Sequence, residues 1–156
     1  MDFDALYDEC ARLLAGSGDP RTRLQALCDL VAGKVPHYDW FGFYIAAKAE
    51  KVLVLGPFTG EPTDHVRIPF GTGICGQAAA DGETFVVDDV SAEGNYLACS
   101  LKVKSEIVVP VPAPDDTVAG EIDIDSHSKA AFGIDDVAFL ERLSILVAKD
   151  VQALRA

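Results

Sequence analysis

A chain of 156 residues, 49% apolar and 24% charged, has the balance of one globular domain and can bury roughly two-thirds of its unfolded surface. A formal net charge of −12 excludes the basic face that nucleic acid or an anionic membrane surface requires. No apolar run approaches the ~18 residues of a membrane span, and the acidic start Met1-Asp2-Phe3-Asp4 is unlike a secretory signal, so a cytoplasmic protein is expected.

Residues 2–15 carry Phe3, Leu6, Tyr7, Cys10, Leu13 and Leu14 at steps of three and four, the period of an amphipathic helix. Gly16-Ser17-Gly18 ends it. Asp19-Pro20 reads as an N-cap followed by proline at the first helical position of a second helix, which runs to about Lys34. From Tyr38 the period changes. Asp39 to Ile45 is aromatic and β-rich, and Lys51 to Leu55 follows after a polar turn, which predicts a hairpin. Val66-Arg67-Ile68-Pro69 is a short strand, Gly71 to Ala80 a glycine-rich loop entering a helix, and Thr84-Phe85-Val86-Val87 another strand.

Asp88 to Lys104 has no clean period, and a loop of that length in a compact domain is usually functional. Ile107–Val111 and Val118–Asp125 are strands joined by the turn-rich stretch from Pro112 to Asp116. One long helix from about Asp135 closes the chain, with Leu140, Leu143, Val147 and Val151 in its apolar stripe. Strands following strands predict an α+β domain: a central antiparallel sheet, terminal helices on one face, and short helices and loops over the other. The whole chain, 1–156, reads as a single domain with its core at about 20–153 and an N-terminal helix in 1–18.

The four cysteines, at 10, 28, 75 and 99, contain no Cys-x-x-Cys pair and fit reduced thiols better than a disulfide framework. Cys10 and Cys28 sit at helix-period core positions. Cys75, between Gly73 and Gly76 before a helix, and Cys99, in the irregular loop beside Lys102 and Lys104, are the reachable ones, and a helix N-terminus lowers a thiol's pKa. A metal site from His65, Cys75 and Cys99 matches no recognised spacing, and no cofactor is expected.

Alternation in Glu121-Ile122-Asp123-Ile124-Asp125 puts three carboxylates on one strand face. A solvated face is the simplest account. Like charges on one face are also relieved by a cation or a shared proton. Glu106 enters the apolar run 107–111, where a carboxyl with a raised pKa suits a general acid.

The run Asp39-Trp40-Phe41-Gly42-Phe43-Tyr44, the segment Val66-Arg67-Ile68-Pro69-Phe70-Gly71-Thr72-Gly73-Ile74-Cys75-Gly76, and then Tyr96-Leu97-Ala98-Cys99, Ser105-Glu106-Ile107-Val108-Val109-Pro110 and Ile122-Asp123-Ile124-Asp125-Ser126 resemble a GAF domain. More narrowly, they resemble the free methionine-(R)-sulfoxide reductase family. The resemblance implies thiol-dependent reduction of methionine sulfoxide as the free amino acid. By the same resemblance Cys99 is the nucleophile, Cys75 lies in its pocket, and Glu106, Asp123 and Asp125 bind substrate and assist proton transfer. Trp40 and Tyr44 then shape the pocket around the methyl sulfoxide. The chain departs from the family where a third cysteine usually precedes Val66: His65 stands there, which leaves Cys75 as the best candidate resolving thiol or passes the step to an external thiol. A thioredoxin-like reductant completes what the resemblance implies; the apolar stripes of the terminal helices fit either a homodimer or packing within one chain equally well. The alternative is a GAF sensor that binds a small molecule without turnover.

Overall fold

Side-chain caps start the first two helices where the sequence offers them. The Asp2 carboxylate accepts the Ala5 N–H at 3.0 Å at the head of α1 (Phe3–Leu14), and Asp19 accepts the Thr22 N–H at 2.9 Å at the head of α2 (Pro20–Lys34). There follow β1 (Trp40–Ala47), β2 (Val52–Thr59), β3 (Arg67–Pro69), α3 (Gly73–Asp81), β4 (Phe85–Val87) and a 3₁₀ turn at Val90–Ala92. The strands β5 (Ser105–Pro112) and β6 (Val118–Ser126) and the helices α4 (Ile134–Leu146) and α5 (Ala148–Ala153) complete the chain. The computed structural model describes residues 1–96, 101–115 and 117–155.

The six strands form one sheet in the order β3-β2-β1-β6-β5-β4, every neighbouring pair antiparallel. Period-two alternation sorts its side chains. Phe41, Phe43 and Ile45 of β1, Ile107, Val109 and Val111 of β5, and Ile122 and Ile124 of β6 face the helices. There they pack with Leu6 and Cys10 of α1, Leu24, Leu27 and Val31 of α2, Phe139, Leu140 and Leu143 of α4, and Val151 of α5. Trp40, Tyr44 and Val108 point the other way, into a second apolar cluster roofed by Ile74, Cys75 and Ala78 of α3. The α+β architecture read from the sequence is the one observed.

Two local differences have physical causes. The β1–β2 hairpin is longer than predicted, continuing past Leu55 to Thr59 through Gly56-Pro57. The ladder shifts register between Gly42 and Tyr44, so both Gly56 and Pro57 lie opposite Phe43, and the proline needs no N–H at the bulge. The predicted single C-terminal helix is two helices. The Val147 N–H bonds to both the Leu143 and Ile145 carbonyls in a tightened turn, and α5 leaves it tied to α2 by Arg23, whose guanidinium donates to both Asp150 oxygens at 3.0 and 2.9 Å.

Candidate active site

Strand register decides which polar groups meet. Asp125 of β6 lies opposite Trp40 of β1 on one side and Glu106 of β5 on the other. Asp123 lies between Gly42 and Val108, and Glu121 between Tyr44 and Pro110. Directly opposed residues share a sheet face. Trp40, Tyr44, Glu106, Asp123 and Asp125 therefore form one patch over three adjacent strands. It is not a solvated face: Glu106 is 4% exposed, Glu121 0%, Asp123 1% and Asp125 2%.

Glycine fixes the indole. A Cβ at Gly42 would lie 2.5 Å from the far edge of the Trp40 ring and 2.7 Å from the Phe58 Cβ, so only glycine lets the ring lie across the sheet. Trp40 stacks on Phe58 with centroids 5.3 Å apart, and its Nε1 donates to the Glu61 carbonyl at 3.0 Å. Next to it, the Tyr44 hydroxyl donates to the His65 carbonyl at 2.9 Å.

The roof is α3. A Cβ at Gly76 would stand 2.5 Å from the Pro69 carbonyl oxygen, so glycine there lets the helix press against β3 and turns Cys75 down onto the acids. The Cys75 Sγ, a Glu106 oxygen and an Asp123 oxygen all lie within 4.8 Å of one another. A cavity of about 10 Å³ opens beside them, bordered by Tyr44, His65 and Ile74. A second, of about 40 Å³, lies at the other end of the patch among Trp40, Asp125, Val103, Asp39 and His127.

Burial dominates the electrostatics here. The Cys75 thiol is pushed well above its ordinary range by desolvation and then by Asp123, Glu121 and Glu106. This reverses the expectation that the α3 N-terminus would favour the thiolate: a partial helix charge does not outweigh three neighbouring acids in a dry site. Desolvation also raises the carboxyls of Glu121, Asp123 and Asp125, with Asp123 pushing up the other two. Both Glu121 oxygens, Asp123 Oδ1 and Asp125 Oδ1 lack a hydrogen-bond partner. The Cys75 thiol sits beside Glu121, but in a geometry too poor to satisfy either oxygen. Such groups hold protons or attract a cation.

Of the residues expected from the sequence, Trp40, Tyr44, Cys75, Glu106, Asp123 and Asp125 converge. Cys99 lies outside the described residues. Cys10 and Cys28 are buried in the helix-facing core, and Lys102 pairs with Glu61 at 2.9 Å. Glu121 is the buried acid that sequence reasoning left outside the site. The alternation of β6 carried the signal, since it set Glu121 on the same face as Asp123.

Residues 19–151 match the GAF domain family. The chain is 34% identical over 142 residues to the free methionine-R-sulfoxide reductase of Escherichia coli, spanning 91% of this chain and 79% of that protein. The solved structure of the type II free methionine-R-sulfoxide reductase from Thermoplasma acidophilum superposes with a TM-score of 0.84 at 41% identity, over 88% of this chain and 95% of that one. The Neisseria meningitidis free methionine-R-sulfoxide reductase in complex with its substrate gives a TM-score of 0.89 at 34% identity, over 97% and 89%.

Proposed function

Since the chain belongs to the free methionine-R-sulfoxide reductase family of GAF domains, we propose that it reduces the R-sulfoxide of free methionine to methionine. The observation that carries this reading is the convergence of Cys75 with three buried carboxyls and an indole on one sheet face. A free amino acid brings an ammonium group, and a buried acidic patch gives that cation a counter-charge. A sulfoxide brings an oxygen that leaves only when protonated, and protonated buried carboxyls supply the proton.

In this mechanism the Cys99 thiolate attacks the sulfoxide sulfur while Glu106, sharing a proton with Asp125, donates to the oxygen. The protonated oxygen passes from the substrate sulfur to the Cys99 sulfur as the S–O bond and the new sulfur–sulfur bond break, so methionine departs as the thioether and Cys99 is left as a sulfenic acid. Cys75 loses its proton and attacks the Cys99 sulfur; hydroxide leaves as water and a disulfide forms. A thioredoxin-like dithiol reduces it, regenerating both thiols. Asp123 anchors the substrate ammonium, and Trp40 and Tyr44 wall the methyl sulfoxide end. His65, where a third thiol would stand, cannot resolve, so that step falls to Cys75.

The test is methionine formation from free methionine sulfoxide, coupled to thioredoxin, its reductase and NADPH. Wild-type protein turns over and Cys99→Ser forms no methionine. Cys75→Ser releases one methionine per chain and then turns over slowly. Tight binding of the sulfoxide with no methionine formed returns the chain to the ligand-binding class, and unchanged turnover in Cys99→Ser removes that thiol as the nucleophile.

A further inference from the structure

The acids over β6 present a charge problem that substrate solves only while it is bound. Cys75, Glu106, Glu121, Asp123 and Asp125 are five ionisable groups, each at most 6% exposed, and Glu121, Asp123 and Asp125 form no ion pair with a lysine, arginine or histidine among the described residues. Three of them, Cys75, Glu106 and Asp123, bring ligand atoms within 4.8 Å of one another, and no other group of His, Cys, Asp and Glu among the described residues does so. Independently, Asp123 Oδ1 lacks a partner, as do both oxygens of the fully buried Glu121, which lies against the Cys75 thiol. Buried polar atoms of native proteins are satisfied as a rule, so these mark the place of something with positive charge.

We propose that Cys75, Glu106 and Asp123 form a binding site for a borderline-soft divalent cation of the zinc class, occupied in competition with substrate. The competition rests on the reductase reading above; the metal site does not.

The donor set selects the ion. One thiolate and two carboxylates suit Zn²⁺, which accepts sulfur and oxygen together in a four-coordinate shell. Mg²⁺ and Ca²⁺ take six or more oxygens, and Mg²⁺ keeps several waters. The adjoining cavity, about 10 Å³ and bordered by Tyr44, His65 and Ile74, has room for a single atom or water, so it can complete a small shell and not a large one. Zn–S near ~2.3 Å and Zn–O near ~2.0–2.2 Å require the three ligand atoms to draw together by about an ångström. Side-chain rotation at the tip of Glu106 supplies such a movement without shifting the sheet. On binding, the Cys75 proton and any proton held by Glu106 or Asp123 leave to solvent, and the ion's two positive charges offset two of the three negative charges of the thiolate and carboxylates. Glu121 stays in place beside the sulfur and tunes it as a neighbour of the ligand. The ligand set differs from the His65, Cys75 and Cys99 trio considered from sequence, because β5 and β6 supply two of the three donors.

The same Cys75 that resolves the sulfenic acid is capped by the ion, and the Asp123 that meets the ammonium is taken. A bound zinc-class ion therefore inhibits the reductase and shields Cys75 from oxidation.

The test uses the reduced full-length chain, with Co²⁺ as the spectroscopic probe and Zn²⁺ as competitor. The expected result is a near-ultraviolet thiolate-to-cobalt absorption at one ion per chain, displaced by Zn²⁺ and untouched by Mg²⁺. Cys75→Ser abolishes the band. Asp123→Asn keeps the thiol and weakens Zn²⁺ binding at least ~10-fold, and Glu121→Gln, beside the ligand, weakens it ~10-fold. A band that survives in Cys75→Ser, or unchanged Zn²⁺ affinity in Asp123→Asn, overturns the site; the second variant decides if the first does not fold. Excess free methionine sulfoxide raises the apparent Co²⁺ dissociation constant in proportion to its concentration. If the band obeys the variants but ignores the sulfoxide, the metal site stands and the shared substrate site falls.

Discussion

Glu106 and Asp125 face each other across one rung of the β5–β6 ladder, both nearly inaccessible to water. Side chains so opposed have Cβ atoms ~4.5–5.5 Å apart, and two carboxyls at that distance in a dry site do not both ionise. In the proposed mechanism they share one proton, which the sulfoxide oxygen takes up. Burial and then Asp123 push the Asp125 carboxyl well above the ordinary range, the direction that favours keeping a proton on the pair.

The rate of the first step therefore falls on the alkaline side as the pair loses that proton. The measurement is single-turnover methionine formation by pre-reduced protein, without external reductant, as a function of pH. In Glu106→Gln and Asp125→Asn the rate drops ~10²–10⁴-fold, the usual worth of a positioned proton donor, and the alkaline limb disappears. An alkaline limb that persists unchanged in both variants assigns the proton to another group.

Gly42→Ala tests the placement of the indole. The new Cβ meets Trp40 and Phe58 at 2.5–2.7 Å, so the ring must move. Overpacking of this kind costs about 1–3 kcal/mol. Trp40 is the single tryptophan of the chain, so its fluorescence reports the shift without interference. The expected outcome is a changed emission maximum, a lower Tm and a raised KM for the sulfoxide. An unchanged spectrum with a raised KM would separate the pocket from the ring.

Glu121→Gln isolates the most isolated acid. Its folded-state pKa is raised, chiefly by desolvation and then by Asp123. The sign follows from linkage: a raised pKa contributes stability that is full below the unfolded value near ~4.3 and is lost as pH rises toward the folded value. Removing the ionisable group removes that loss. The variant is expected to match wild type near pH 4 and to exceed it at pH 8, with ~2–4 °C in Tm for each kcal/mol gained. The exposed pair of Lys48 and Asp115, which holds the Asp115 carboxyl below its usual range, acts in the opposite direction in both proteins and cancels in the difference. A Tm difference independent of pH would mean that Glu121 does not ionise in this range.

Much of the fold was legible because its periods are clean. The caps at Asp19 and Pro20, the stripe Leu24-Leu27-Cys28-Val31, and the alternation of Phe41, Phe43 and Ile45 each carry a local signal. That same alternation put Glu121, Asp123 and Asp125 on one face, but alternation does not say whether a face meets water or protein. The answer came from α3, held against β3 by Gly76. Burial of Cys75 and the reversal of its expected acidity are likewise tertiary effects. They arise from residues more than 30 positions away, as in the contact of Cys75 with Glu106 and Asp123. The break at Val147 was hidden because the apolar stripe continues through it.

Asp123 carries the discrimination between free and peptide-bound methionine sulfoxide in the proposed reaction. It lies opposite Gly42 and Val108, neighbours that offer it no charge, and its Oδ1 has no partner. An ammonium group placed there gains a charge-assisted hydrogen bond in a site of low dielectric, a contact worth ~1.5–3 kcal/mol. N-acetylated methionine sulfoxide lacks that charge. Wild-type protein is expected to prefer the free amino acid over the N-acetyl form by at least ~10-fold in kcat/KM, the equivalent of about 1.4 kcal/mol. In Asp123→Asn the preference shrinks toward unity, because activity on the free form falls while the poor activity on the acetylated form changes little. The comparison of the two substrates in the two proteins is the measurement. If Asp123→Asn slows both equally, the residue serves the chemistry or the architecture of the site, and the ammonium is held elsewhere.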